Sequence, residues 1–248
     1  MTGAPTHAER HRVVLKLESI ADLSAEERQA LLRLPMIVKT VRADHDIVSI
    51  GDCPSHCCLL LEGWACRYKM LPDGGRQIMS FHIPGDIPDL QSLYLNRMDH
   101  SLGTLVRAKI ALIHHRDLHD LVRRFEGIST ALWRDTLIDA AIFREWMVGI
   151  GRRSAHQRIA HVLCEMATKL RAVGLNDGHT YPWPVTQQEV ADALGLTDVH
   201  VNRVLRDIRQ AGQITLGRGV FTALDWEGLK QWGQFEPSYL HIERSLAA

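Results

Sequence analysis

The 248-residue chain contains no run of about 18 apolar residues, so no membrane-spanning helix is expected. Met1 to Arg12 are polar and lack the apolar core of a signal peptide, which makes a cytoplasmic address the expectation. There is no excess of charge: 29 basic residues stand against 29 acidic ones, so any nucleic-acid surface must be local. The five cysteines (Cys53, Cys57, Cys58, Cys66, Cys164) are an odd number without a secretion signal, which argues for reduced thiols over a disulfide framework. No nucleophile–base pair, zinc-protease pair or Walker loop is present, so no catalytic residue is assigned and an enzyme is not expected.

What is present changes texture along the chain. Residues 1 to 20 carry little signal, and partial disorder is expected there. Ser24-x-x-Glu27 is a capping box, in which hydroxyl and carboxylate satisfy each other's backbone N–H groups; its helix must stop near Pro35. Short apolar runs follow at Met36–Val41, Ile47–Ile50, Cys57–Leu61, Ala65–Met70, Gln77–Ile83 and Lys109–Ile113, separated by glycine and proline turns. That rhythm predicts an antiparallel barrel or roll. From Ile128 to Ile150 there is no proline, and no glycine before Gly149, so a helix of about 20 residues and roughly 30 Å is expected. Its Trp133, Thr136, Ala140, Phe143, Met147 and Ile150 are spaced as a heptad seam, which favours a partner helix. Leu137, Ala141 and Val148 lie outside the seam and suit packing on the helix's own domain. The charges Arg134, Asp135, Asp139 and Glu145 fall mostly on the other side.

Gly149 to Arg153 reads as the domain boundary, giving a sensor-type region 1–127, a dimerisation helix and hinge 128–151, and a C-terminal domain 152–248. Ser154-x-x-Gln157 caps the next helix, with Ile159, Val162, Leu163, Met166 and Leu170 inward. After the turns Asn176-Asp177-Gly178 and Pro182-Trp183-Pro184, a third box, Thr186-x-x-Glu189, opens a helix with Val190, Ala191 and Leu194 on one face. Gly195 breaks it, and Thr197 caps a second helix that buries Val201, Val204, Leu205 and Ile208. This is the helix-turn-helix pattern, whose second helix enters the DNA major groove. Gln213–Leu216, Gly217-Arg218-Gly219 and Val220–Leu224 then read as a hairpin wing. The fold class expected is α+β: an N-terminal antiparallel β-roll, a long dimerisation helix and a C-terminal winged helix-turn-helix.

With these parts in order, Cys58-Leu59-Leu60-Leu61-Glu62-Gly63, Gly75-Arg76-Gln77-Ile78, Pro84-Gly85-Asp86, Leu194-Gly195-Leu196-Thr197 and Val201-Asn202-Arg203-Val204-Leu205 resemble the CRP/FNR family of bacterial transcription regulators from about residue 22 to 235. The resemblance implies a cyclic-nucleotide-binding-type roll and a homodimer on a near-palindromic operator, with contact to RNA polymerase. The competing reading is a small-molecule or cyclic-nucleotide module whose helical pair serves protein contact.

Within the motif, Val199, His200, Asn202 and Arg203 sit where side chains reach base edges. Arg203 matches guanine O6 and N7 and stands at the family's usual arginine position. Val199 stands where the family often has glutamate; it can meet a thymine methyl but cannot accept from cytosine. Asp198 suits the helix N-terminus better than DNA. Gln187, Gln188, Arg206, Arg209 and Arg218 are expected at phosphates, and Thr197 is counted with the interface. Between 186 and 224 four arginines face four acids, so the basic surface is local.

For the roll, the resemblance implies a glutamate for ribose and an arginine with a hydroxyl neighbour for cyclic phosphate. The glutamate is absent, and His100-Ser101 stands in the second place, with Asp86, Asp89 and Asp99 near enough to repel a phosphate. Cyclic AMP is therefore disfavoured. An iron–sulfur cluster is disfavoured too, because no cysteine precedes Cys53 and the neighbours Cys57 and Cys58 must point to opposite faces of a strand. The thiols read as buried packing, His114, His115 and His119 as solvated, and no metal or cofactor is expected; the effector is left open.

Overall fold

A computed structural model describes residues 6–176 and 178–242. Asp177 of the expected turn lies outside the described residues, as do residues 1–5 and 243–248 at the outer limits of the first and last regions. Among the described residues, no helix is long and apolar enough to cross a membrane.

The expectation of partial disorder up to residue 20 is corrected from Thr6 onward. Thr6 and Glu9 form a capping box for helix α1 (His7–Glu18), whose Val13, Val14 and Leu17 are buried. Burial pushes the Glu9 carboxyl up, but hydrogen bonds from the Lys109 ammonium (2.6 Å) and the Thr6 amide outweigh it and hold the group near about 2. Ser24 and Glu27 cap α2 (Ala25–Leu32) as expected.

Seven strands build the roll: β1 (Ile37–Val41), β2 (Asp46–Val48), β3 (His56–Glu62), β4 (Ala65–Met70), β5 (Arg76–His82), β6 (Ser101–Thr104) and β7 (Ala108–His114). They pair antiparallel in two sheets, β1-β7-β3 and β2-β6-β4-β5. Alternation along β3 sends Cys57, Leu59 and Leu61 toward the helices, where they meet Val13, Leu17 and Ile128, and sends Cys58 and Leu60 between the sheets with Leu102 and Ile110. Gly63 takes φ +82° between β3 and β4; a Cβ there would stand 2.8 Å from the Arg107 carbonyl oxygen, so only glycine fits without displacement.

Helix α3 (His115–Arg124) leads into α4 (Glu126–Arg152), 27 residues and about 40 Å. The helix starts two residues before the expected region and runs through Gly149 and Gly151; the chain leaves it at Arg153 (ψ 147°). Gly149 is buried there, whereas Gly151 is exposed. Ser154 and Gln157 cap α5 (Ala155–Ala172). The remaining elements are β8 (Thr180–Pro182), α6 (Gln187–Leu194), α7 (Asp198–Gln210), β9 (Ile214–Gly217), β10 (Val220–Ala223), α8 (Trp226–Gly233) and a 3₁₀ turn at Pro237–Leu240. The wing is a three-stranded sheet, β8-β10-β9, rather than the expected lone hairpin.

The regions share one core. Ile78 and Phe81 of the roll, Ile142 and Trp146 of α4, and Leu163, Val190 and Ile208 of the C-terminal domain belong to a single buried cluster. Phe81 meets Trp146 edge-on with centroids 5.7 Å apart. Full burial of one such side chain contributes roughly 1.5–3 kcal/mol. Polar links add direction: Trp146 Nε1 donates to Glu165 at 3.1 Å, and Lys169 Nζ donates to the Phe81 carbonyl at 3.1 Å.

Candidate nucleic-acid interface

The geometry of the helix pair follows from its caps. Thr186 N–H donates to Glu189 Oε2 at 2.6 Å, and Glu189 N–H donates back to Thr186 Oγ1 at 3.2 Å. Gly195 ends α6 in the left-handed region at φ +63°. Thr197 Oγ1 accepts from the His200 N–H at 3.2 Å, and Asp198 Oδ1 accepts from the Val199 N–H at 2.8 Å, so both serve the N-terminus of α7. Ala191 is buried beside Val201, Val204, Leu205 and Ile208, where the helices cross.

Burial of that face turns the opposite one outward. Val199 (75% exposed), Asn202, Arg203 and Arg206 lie along one exposed stripe of α7. The side chains of Arg203 and Arg206 have no hydrogen-bond or ion-pair partner among the described residues. His200 is half-buried on the flank, and Arg209 Nε donates to the Leu205 carbonyl at 3.1 Å. Gln187 and Gln188 are exposed at the start of α6; Gln188 Nε2 bonds Asp192 Oδ1 at 2.7 Å, and Asn202 Nδ2 donates to Gln187 Oε1 at 3.0 Å. Arg218 stands apart at the wing turn with φ +52°. Sequence reasoning missed Arg158, whose Nη1 donates to the Leu194 carbonyl at 2.8 Å and ties α5 to the turn. It also missed Arg76 of β5, whose Nε meets Asp192 Oδ2 at 2.7 Å and joins the roll to α6. Both contacts span more than 30 residues and leave no local pattern.

Along α4, Trp133 (67%), Thr136, Met147 (72%) and Ile150 are exposed, while Ala140 and Phe143 are half-buried. Leu137 and Val148 are exposed as well, which corrects their assignment to the helix's own domain and widens the seam; Ala141 is buried. Asp135 and Asp139 lie off that stripe, on the other side of the helix as expected. They face the roll, Asp135 against Lys16 at 3.3 Å and Asp139 in a hydrogen-bonded ion pair with Arg67.

Between roll and α4 lies a cavity of about 400 Å³. Lys16, Arg67, Lys169, His82, Asp86 and Asp139 line its charged side. Asp86 pairs with Lys16 at 3.3 Å and Lys169 at 3.7 Å; burial pushes its carboxyl up, but the two ammonium groups outweigh that and hold it well below the usual range. Burial and the nearby Arg67 push His82 down to about 4. Asp89 turns away from the cavity and accepts the Cys58 N–H at 2.7 Å; burial pushes it up to about 7. The expected repulsion from Asp86 and Asp89 is therefore corrected: one is neutralised and the other points into β3. His100 Nδ1 bonds Asp99 at 2.7 Å, and Ser101 Oγ accepts the Ile50 N–H at 3.0 Å, so both members of that pair have internal partners.

Cys57, Cys58, Cys66 and Cys164 are buried and Cys53 is exposed. Burial pushes the Cys57 and Cys66 thiols up to about 12, which keeps them protonated. Among the described residues no three His, Cys, Asp or Glu side chains are grouped to hold a metal ion. His114 caps α3, accepting the Arg116 N–H at 3.0 Å; His115 bonds Ser92 at 3.1 Å and His119 packs edge-on to Tyr94. Half-buried His115 and His119 are thus not simply solvated.

Two family models match the chain: a cyclic nucleotide-binding domain over residues 38–125 and a Crp-like helix-turn-helix domain over residues 157–232. The nitrogen fixation regulation protein FixK of Bradyrhizobium diazoefficiens is 32% identical over 67% of this chain and 69% of its own length. The transcriptional activator protein FnrL of Cereibacter sphaeroides is 24% identical over 84% of this chain and 82% of its own. The solved structure of FixK2 from Bradyrhizobium japonicum superposes with a TM-score of 0.72 at 22% identity, covering 80% of this chain and 98% of that one.

Proposed function

The chain belongs to the CRP/FNR family of transcription regulators, and on that premise we propose that it acts as a homodimer through α4, each copy placing α7 in the major groove of a near-palindromic operator. The carrying observation is the outward stripe of α7, where Val199, Asn202, Arg203 and Arg206 are exposed on a helix whose other face is wholly used for packing. An exposed arginine with no partner among the described residues is free to present its fork to guanine O6 and N7. The positive dipole ends of α6 and α7 suit the phosphates on either side of the groove, and Gln187, Gln188, Arg206, Arg209 and Arg218 flank them. Thr197 keeps its hydroxyl proton for a phosphate after capping α7.

The exposed apolar stripe of α4 supports the dimer, because Trp133, Leu137, Met147, Val148 and Ile150 on one helix form an uncovered seam. Two-fold symmetry spaces the two copies of α7 about 34 Å apart, one turn of duplex. RNA polymerase is the proposed further partner. The residues around the cavity do not fit a cyclic phosphate: its cations Lys16, Arg67 and Lys169 are each paired with a carboxylate. No step of the function is routed through such a ligand.

A DNA shift titrated with salt tests the reading. Arg206, Arg209 and Arg218 from two copies give about six phosphate contacts, so log affinity falls with log salt at a slope of about −5. A slope near zero, or equal affinity for every duplex, refutes it.

A further inference from the structure

The hydrogen bond from Asn202 Nδ2 to Gln187 Oε1 crosses the turn of the helix pair, joining the first residue of α6 to the fifth of α7. Both side chains are exposed, so water would serve either amide as well and the bond adds little to stability. Its effect is directional. A carboxamide carries two N–H donors and one acceptor oxygen. When Gln187 holds the N–H of Asn202 that lies trans to Oδ1, the other N–H and Oδ1 are left side by side on the exposed stripe. That donor–acceptor pair matches adenine, whose N7 accepts and whose N6 amino group donates in the major groove. Guanine offers two acceptors there, so Oδ1 would face O6 without a proton between them.

We infer that Asn202 reads an adenine in each half-site and that Gln187 is its positioning residue, an assignment that rests on α7 being the recognition helix. Gln187 was expected only at phosphate; its Oε1 holds Asn202 while its Nε2 stays free to donate to the backbone. The arrangement runs from phosphate through Gln187 and Asn202 to the base, so register on the duplex and base choice are set together. It also separates the two readers: Arg203 needs no such support, and its guanine preference is independent of Gln187.

The test is selection of bound duplexes from a randomised library by the full chain and by Gln187→Ala, Gln187→Glu and Asn202→Ala. The wild type is expected to enrich an adenine in each half-site. Asn202→Ala makes that position degenerate, a loss of roughly 5- to 150-fold in discrimination. Gln187→Ala weakens the same preference, Gln187→Glu keeps it through its acceptor oxygen, and all three retain the guanine read by Arg203. Placing 7-deaza-adenine at that position weakens the wild type and leaves Asn202→Ala unchanged. If Asn202→Ala alters no position, or degrades one that is not adenine, or if Gln187→Ala leaves the preference intact, the inference is overturned while DNA recognition stands. If the wild type enriches no sequence at all, recognition by α7 falls with it.

Discussion

Replacing Trp133 and Met147 together by glutamate is expected to convert the dimer to monomer without unfolding the chain. Trp133 is 67% and Met147 72% exposed in the single chain, so neither supports its own core. A tryptophan presents roughly 200 Å²; two-thirds of it, at about 25 cal/mol per Å², is worth about 3 kcal/mol per copy in a buried seam. Met147 adds about 1–2 kcal/mol. Two copies sum to about 9 kcal/mol as a ceiling, of which association entropy and side-chain ordering consume a large part. Retaining even a third gives about 3 kcal/mol, a loss of dimer affinity above roughly 100-fold. Burying four carboxylates in an apolar seam adds to it. Sedimentation velocity from about 0.1 to 50 μM measures the shift, with helical content and melting temperature as controls for folding. A double variant that stays dimeric, or a wild type that is monomeric at 50 μM, refutes the reasoning.

Other substitutions isolate other parts. Arg203→Ala should cost about 1–3 kcal/mol on the selected operator and relax one base pair, measured by competition shifts; an equal loss on all sequences would remove the base-contact role. Gly195→Ala should cost about 1–2 kcal/mol by urea unfolding, because its Cβ meets nothing nearer than Arg158 Nη1 at 4.0 Å and only the left-handed backbone is penalised. Gly63→Ala should cost more, since its Cβ would stand 2.8 Å from a carbonyl oxygen; the reverse order would contradict the turn geometry. Asp89→Asn should stabilise the chain at neutral pH. Burial raises the folded-state carboxyl to about 7, so wild-type stability is present below about pH 4 and is lost as pH rises from there to 7, up to about 4 kcal/mol. Asparagine keeps an acceptor for the Cys58 N–H without that loss; urea midpoints at pH 4, 5.5 and 7 should diverge progressively, and a constant offset would refute the mechanism.

Much of the fold was legible because its signals are local. The boxes at Ser24, Ser154 and Thr186 each sit within four residues, and the glycine after α6 marks its own stop. The box at Thr6 has the same form, and Val13, Val14 and Leu17 supply the buried face of the helix it opens. Strand β6 reads Ser-Leu-Gly-Thr and owes its register to β4 and β2, partners about 35 to 55 residues away. Gly149 and Gly151 read as a hinge, but the helix continues through both and the chain leaves it at Arg153. The seam of α4 was visible as spacing, whereas the turning of Asp135 and Asp139 toward Lys16 and Arg67 needed partners more than 70 residues distant. At the interface, Arg203 stood out by residue type and position; the support of Asn202 by Gln187 spans the turn and appears only when the two helices cross.

The most direct measurement is the consensus recovered by the wild-type chain from a random duplex library. Recognition by a dimer through α7 requires two inverted half-sites, each with a guanine, centred one helical turn or about 10 base pairs apart. A single asymmetric site, or no enrichment over the starting library at low salt, would contradict it.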